Sequence, residues 1–248
     1  MPERLGSGEQ QPVSQDTLDR LRNISTATIS LQLLKRGVRS TFMNNVRALN
    51  SGDCRFVAQA HTLRFVPMRE DLSTPEILAD KNYAPRKVVE QVPAGAALVI
   101  DGRGRTDCGV IGGTLALRLR ERGCAAIVTD GAVRDSAELA QIGMPVFCAG
   151  AAAPATLNGH FGADEQTIIG CGGVTVIPGD ILVGDEDGVI LIPRALVDEI
   201  ARDGAEQERL ESFLTSLIAG GRPLIGTYPP NDDTRQEYEA WLQSQAPH

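Results

Sequence analysis

The chain has 248 residues, with 24 Lys and Arg against 32 Asp and Glu and a formal net charge of −8. So acidic a chain gains nothing from counterion release on a phosphate backbone, which argues against nucleic acid as a partner. Hydrophobic residues make up 42% and aromatics only 4%, so one large or two small domains are affordable, with a core of Val, Ile, Leu and Ala. Five cysteines (Cys54, Cys108, Cys124, Cys148 and Cys171) include no CxxC pair. That pattern fits small buried hydrophobes in a reducing cytosol better than a disulfide framework or a zinc knuckle. No apolar signal core opens the sequence, and no run approaches about 18 apolar residues, so the expectation is a soluble cytoplasmic protein without a membrane partner.

Residues 1–14 read as a polar, disordered leader. Leu18, Leu21, Ile29, Leu33 and Leu34 predict a helix over residues 15–36, capped by Ser14 or Asp16 and ended by Gly37. Residues 55–66 alternate as a strand, 67–71 form a charged loop, Pro75 opens a short helix, and residues 86–91 form another. From Ala96 the pattern becomes regular: a buried strand at 97–100, a Gly-rich loop at 101–113, a helix at 114–122 and a strand at 125–129. After the turn Asp130-Gly131 come Arg134-Asp135, a helix at 136–141 and a strand at 146–148. Strands alternating with helices predict a parallel layer with covering helices. A β run follows at 173–178, then two strands at 181–183 and 189–192 around the turn Gly184-Asp185-Glu186-Asp187-Gly188, and a charged helix at 194–217. Residues 221–248 read as a C-terminal arm whose amphipathic end carries Tyr238 and Trp241.

Two segments could carry chemistry. The glycines of the loop at 101–113 fit neither G-x-G-x-x-G, because position 107 is Asp107, nor a P-loop, because no Lys follows Gly113. A strand, glycines and then a helix still place free amides at a positive helix end. The amides of Thr114 and Leu115 are thus candidates to hold a small carboxylate, the alternative being a tight turn without a ligand. Arg134-Asp135 directly follows a buried strand, and ligands of parallel sheets bind beyond the strands' carboxyl ends. Both segments are expected to face one crevice. Arg134 offers a fork matched to a carboxylate and Asp135 a hard oxygen suited to Mg²⁺ or Mn²⁺. Together they could chelate a 2-oxo acid, the metal stabilising the enolate formed as a C–C bond breaks; the plainer alternative is a structural salt bridge. His61 in a strand, His160 in a polar loop and the terminal His248 form no zinc-ligand spacing and read as structural or solvated. Asp180, Asp185 and Asp187 read as turn formers, and Glu206, Glu208 and Glu211 as one solvated helix face.

Gly112-Gly113-Thr114-Leu115, the stretch from Gly123 to Asp135, and Pro178-Gly179-Asp180 through Asp187-Gly188-Val189 resemble the RraA-like family over roughly residues 20–220. That family holds 4-hydroxy-4-methyl-2-oxoglutarate aldolases and regulators of ribonuclease E activity. The resemblance implies an α/β fold of the swivelling β/β/α type in a single domain flanked by N- and C-terminal helices, assembled as a homo-oligomer, trimer or hexamer. It implies a Mg²⁺- or Mn²⁺-dependent lyase for small 2-oxo acids, of aldolase or oxaloacetate decarboxylase type. Asp135 would be the metal ligand and Arg134 the carboxylate anchor. Gly112, Gly113, Thr114 and Leu115 would complete the substrate-binding set, and Glu208 would be a catalytic carboxylate reaching an adjacent subunit. A dehydratase or aldolase of a 2-oxo-3-deoxy sugar acid and a non-enzymatic ribonuclease-binding regulator are the alternatives. The chain departs from the family at one point: the acidic residue that usually precedes Arg-Asp with twenty residues between is here Gly113, and Asp107 or a neighbouring acid is the candidate to replace it. The loop at 67–71 lies outside the common motif and is a candidate for shaping substrate choice.

Overall fold

The computed structural model describes residues 13–49, 52 and 54–245, so most of the leader and His248 lie outside the described residues. The single helix expected over residues 15–36 is two, α1 (Gln15–Leu21) and α2 (Thr26–Lys35). Ser14 caps α1, as expected, by accepting from the Thr17 amide. The break arises because Ser25 is extended and its hydroxyl accepts from the Thr28 amide, a second cap that apolar periodicity does not report. Two carboxylates from distant segments hold that break. Asp185 accepts from the Thr26 amide and hydroxyl, both at 2.8 Å, and Glu208 accepts from the Ser25 amide at 2.9 Å and hydroxyl at 2.8 Å.

The other elements, in chain order, are β1 (Arg47–Ala48), β2 (Phe56–Pro67), α3 (Ala84–Gln91), β3 (Ala96–Asp101), α4 (Gly113–Glu121), β4 (Ala126–Thr129), β5 (Ala132–Val133), α5 (Ser136–Leu139), β6 (Val146–Cys148), β7 (Gly150–Ala151), β8 (His160–Glu165), β9 (Ile169–Cys171), β10 (Val174–Val176), β11 (Ile181–Asp185), β12 (Gly188–Ile192), α6 (Val197–Ala219) and α7 (Asp232–Gln245). The main sheet has the order β1-β6-β4-β3-β2-β11-β12, with β8 also paired to β2. Strands β2, β3, β4 and β6 run parallel, as the strand–helix alternation predicts, and β11 and β12 form the expected hairpin. The sheet's two edges approach each other, because Phe42 bridges to Ile190 of β12 just before the chain enters β1 at the other edge. The result is a mixed α/β domain around a nearly closed, barrel-like sheet.

Burial on both faces explains why β3 and β4 read as unbroken apolar runs. Ala97 and Val99 of β3 face an inner cluster with Met43, Phe56, Val128, Phe147 and Leu182. Leu98 and Ile100 face outward to Val88 of α3, Ala116 and Leu119 of α4, and Leu139 of α5. A third cluster packs Leu21, Ile29, Leu33 and Ile200 of α1, α2 and α6 on Ile181, Val183, Ile190 and Ile192. Helix α7 lies on α6 through Phe213, Tyr238 and Trp241. The five cysteines are buried and none forms a disulfide, and no helix among the described residues is long and apolar enough to cross a membrane.

His160 corrects the sequence reading. It lies in β8 rather than in a polar loop, fully buried, its ring 5.3 Å from that of Phe65. The six residues of β8 carry no apolar alternation; the strand forms because its antiparallel pairing with β2 places Gly162 opposite Phe65. Neither ring nitrogen of His160 has a hydrogen-bond partner. Burial, with Arg103 and Arg105 nearby and only Asp107 opposing, pushes its pKa down to about 4. The unfolded chain, with a His pKa of about 6.5, therefore binds this proton first as pH falls, so stability is retained above that value and lost toward pH 4. At pH 5 the loss through His160 should be about 2 kcal/mol relative to pH 7. Denaturant titrations at both pH values should show a shallower pH dependence for His160→Gln than for wild type. That comparison separates His160 from Asp101, Asp130 and Asp180, whose carboxyls burial pushes upward.

Candidate functional site

The loop after β3 and the loop after β4 leave the carboxyl ends of adjacent parallel strands, where ligands of such sheets bind. They are stitched together by the main chain: Val110 donates to the Ala132 carbonyl and Arg134 to that of Ile111, both at 2.8 Å. Asp130 secures the start of the glycine-rich loop, its carboxylate accepting from the Gly102 amide at 2.7 Å and the Gly172 amide at 3.3 Å. The two expected segments therefore do share one crevice, of about 320 Å³. Val110, Ile111, Gly112, Thr114, Leu115, Arg134 and Asp135 line it, together with Leu78, Tyr83, Pro85 and Arg86, Ala155 and Thr156. Expectation and structure differ over the charged loop at 67–71: those residues do not line the crevice, and Arg69 and Asp71 are instead exposed and paired to each other. The segment from Leu78 to Arg86 lies there in their place.

Asp135 has a left-handed backbone, with φ 54° and ψ 42°. It heads α5 but does not cap it. Its Oδ2 instead accepts from the Gly113 amide at 2.9 Å, at the start of α4. Gly112, at the capping position of α4, has no side chain to do this, so Asp135 acts as the cap from another element. Both glycines leave room for carboxylate oxygens at this approach. A Cβ on Gly112 would stand 2.7 Å from Asp135 Oδ2, and a Cβ on Gly113 would land on the Glu138 carboxylate. The amides of Thr114 and Leu115 find no acceptor among the described residues, which leaves them available to an anion in the crevice.

Glu138 is the residue that sequence reasoning missed. Its carboxylate occupies the space beside Gly113 where an acidic side chain at that position would begin. The signal was present as spacing: Glu138 lies three residues beyond Asp135 on a helix that starts at Ser136, so both are carried on one turn. Asp107, the named candidate, is bonded to Arg105 and exposed, and does not line the crevice.

Arg134 and Asp135 form no ion pair with each other or with any other described residue, and Arg134 Nε is buried without a partner. The structural salt bridge is thus not what the pair forms. The path of Arg134 is set by Gly109, where a Cβ would collide with Arg134 Cγ and approach the Arg134 amide nitrogen to 2.9 Å. Glu208 lies on α6 and does not line the crevice of its own chain. Burial pulls its carboxyl upward, but bonds from Ser25 and Thr28 and the nearby Arg55 outweigh that and hold it below the usual range.

Among the described residues no three His, Cys, Asp or Glu side chains converge as a ligand set. A cation keeping most of its waters and resting on one or two carboxylates fits better, which is the habit of Mg²⁺. Asp135, whose Oδ1 has no partner among the described residues, with Glu138 beside it, suits such an ion.

An arginine with an unpaired guanidinium, free amides at a helix start and Asp135 thus share one crevice at the ends of the parallel strands of an α/β domain. The chain belongs to the RraA-like family, whose model, described as Aldolase/RraA, matches residues 23–191. It is 34% identical over 143 residues, covering 57% of this chain and 78% of the relative, to the 4-hydroxy-4-methyl-2-oxoglutarate aldolase of Thermus thermophilus. It is 29% identical over 228 residues to protein DlpA of Legionella pneumophila, covering 91% of this chain but spanning only 34% of DlpA's length. Among solved structures it is similar to Streptomyces coelicolor RraAS2, described as an unusual member of the RNase ES inhibitor RraA protein family. That match has a TM-score of 0.73 and 30% identity and covers 82% of this chain and 98% of the other.

The tight packing at Gly109 gives a test. Gly109→Ala should displace Arg134 and destabilise the fold by about 1–3 kcal/mol, the usual effect of overpacking, as read by the shift in denaturant midpoint. A midpoint equal to wild type would show that Arg134 can reroute without cost.

Proposed function

We propose that this protein is a divalent-metal-dependent lyase that cleaves a small 2-oxo acid, as an aldolase or an oxaloacetate-type decarboxylase. The observation that carries this reading is an unpaired Arg134 beside Asp135 in the crevice at the open amides of α4, with Glu138, which lines the neighbouring pocket, reaching the space beside Gly113. Arg134 holds the substrate carboxylate through its planar fork, helped by the amides of Thr114 and Leu115. Asp135 orients toward the crevice because its backbone is left-handed and its Oδ2 is fixed by Gly113. Glu138 supplies the second negative charge that the family usually carries at the position of Gly113. A Mg²⁺ or Mn²⁺ ion held at these carboxylates would stabilise the negative charge that develops on the 2-oxo oxygen as the C–C bond breaks. Retro-aldol cleavage and decarboxylation leave the same charge on that oxygen, so one site serves both.

The name of the Thermus relative supports the aldolase form. The Streptomyces neighbour supports the second reading, a ribonuclease-binding regulator, but binding a protein would not call for an unpaired arginine inside a crevice this small. Assembly as a trimer or hexamer is part of the proposal, since Glu208 could serve only a neighbouring subunit's crevice.

The test is pyruvate release from oxaloacetate and 4-hydroxy-4-methyl-2-oxoglutarate, with and without Mg²⁺ or Mn²⁺. Metal-dependent turnover is expected, falling below about a tenth in Asp135→Ala, since loss of such charge stabilisation is worth several kcal/mol. Glu138→Ala should weaken Mn²⁺ binding by about 10-fold, the scale of losing a group that supports a metal site. Gly113→Asp in that background should restore part of it. No turnover of either substrate under either metal would overturn the proposal.

A further inference from the structure

The segment from Gly150 to Gly159 takes no part in the mechanism above, yet it bridges the two loops of the site. On one side β7 pairs with β5 just before Arg134, and the Ala152 amide donates to the Val133 carbonyl at 3.0 Å. On the other side the segment holds the glycine-rich loop. The Gly109 amide donates to the Pro154 carbonyl at 3.0 Å, and the Arg103 guanidinium donates to the Gly159 carbonyl at 3.1 Å. All of these contacts use the segment's backbone. Its one side-chain bond among the described residues runs from the Thr156 hydroxyl to the Gly109 carbonyl, at 2.7 Å. That carbonyl has no other partner among the described residues.

What Gly109 touches is the stem of Arg134. A Cβ on Gly109 would collide with Arg134 Cγ, so the bare α-carbon is the wall against which the stem lies. No hydrogen bond or ion pair among the described residues directs the guanidinium; its aim is set by packing. A shift of the wall therefore shifts the fork, and a bidentate grip on a carboxylate depends on where the fork points. Thr156 itself lines the crevice. A carbonyl can only accept, so the hydroxyl proton of Thr156 is committed to Gly109 and is not offered to a substrate.

We propose that Thr156 is a positioning residue for the carboxylate anchor: by holding the Gly109 carbonyl, it fixes the wall that aims Arg134. This assignment rests on the 2-oxo acid reading of Arg134. The carboxylate that Arg134 grips is held alike before and during bond cleavage, so a misaimed fork raises KM and leaves kcat in place. Asp135 is held separately, by the Gly113 amide, so Mn²⁺ binding reports whether the rest of the site is intact.

Steady-state pyruvate release from oxaloacetate and 4-hydroxy-4-methyl-2-oxoglutarate would be measured on the full-length protein at saturating Mn²⁺ or Mg²⁺, with a Mn²⁺ titration of each variant. Thr156→Val keeps the branched shape and loses the bond. It should raise KM by about 10-fold, the 1.4 kcal/mol of one hydrogen bond, with kcat and Mn²⁺ affinity unchanged. Thr156→Ser keeps the hydroxyl and should restore KM. The Thr156 assignment is overturned, while the 2-oxo acid reading stands, if Thr156→Val leaves KM unchanged or if Thr156→Ser fails to restore it. It is overturned in the same way if kcat or Mn²⁺ affinity falls together with the rise in KM, since that marks a general loosening of the site. If wild type turns over neither acid, both readings fall together.

Discussion

The bond from the Gly113 amide to Asp135 Oδ2, at 2.9 Å, is the constraint on which the site depends. It ties the start of α4 to the loop after β4, and so fixes two neighbouring strand ends relative to each other at the point where the substrate would sit. Its geometry is bought with local strain, since a non-glycine residue at φ 54° lies in a sparsely populated region. The same left-handed turn prevents Asp135 from capping its own short helix and turns its carboxylate toward the crevice. A structural bond and a functional orientation thus come from one backbone choice.

The glycines of the loop follow from that bond rather than from a need for flexibility. Gly109 and Gly112 face atoms of Arg134 and Asp135 that a Cβ would crowd, and a Cβ on Gly113 would require the Glu138 carboxylate to move. Only Gly104, at φ +64°, answers to backbone conformation, and it lies outside the crevice. Gly109, Gly112 and Gly113 admit side chains of the protein, and the opening that remains has a volume of about 320 Å³.

The parallel strands and the hairpin were legible because both faces of β3 and β4 are apolar and because Asp-Gly turns punctuate the end of the chain. The break between α1 and α2 was not, since it is enforced by Asp185 and Glu208 from segments about 160 and 180 residues away. Asp185 was a turn former in the sequence; in the fold it also accepts from α2. Strand β8 was hidden because its pairing with β2, not its own pattern, defines it. The Arg134-Asp135 pair could be placed from its position after a buried strand, whereas the spacing of Glu138 from Asp135 acquires meaning only with the three-dimensional proximity of α5 to Gly113.

That proximity explains how a chain can lack an acid at position 113 and keep the charge. A Cβ at 113 and the Glu138 carboxylate compete for the same space, so an acidic side chain from 113 and Glu138 in its present rotamer exclude each other. On the proposed mechanism, the chemistry constrains the location of a negative charge beside Asp135, not the backbone position that supplies it. Position 113 therefore carries no functional meaning when read alone. Glycine there is a loss of charge if residue 138 is neutral, and a relocation of charge when, as here, residue 138 is Glu138.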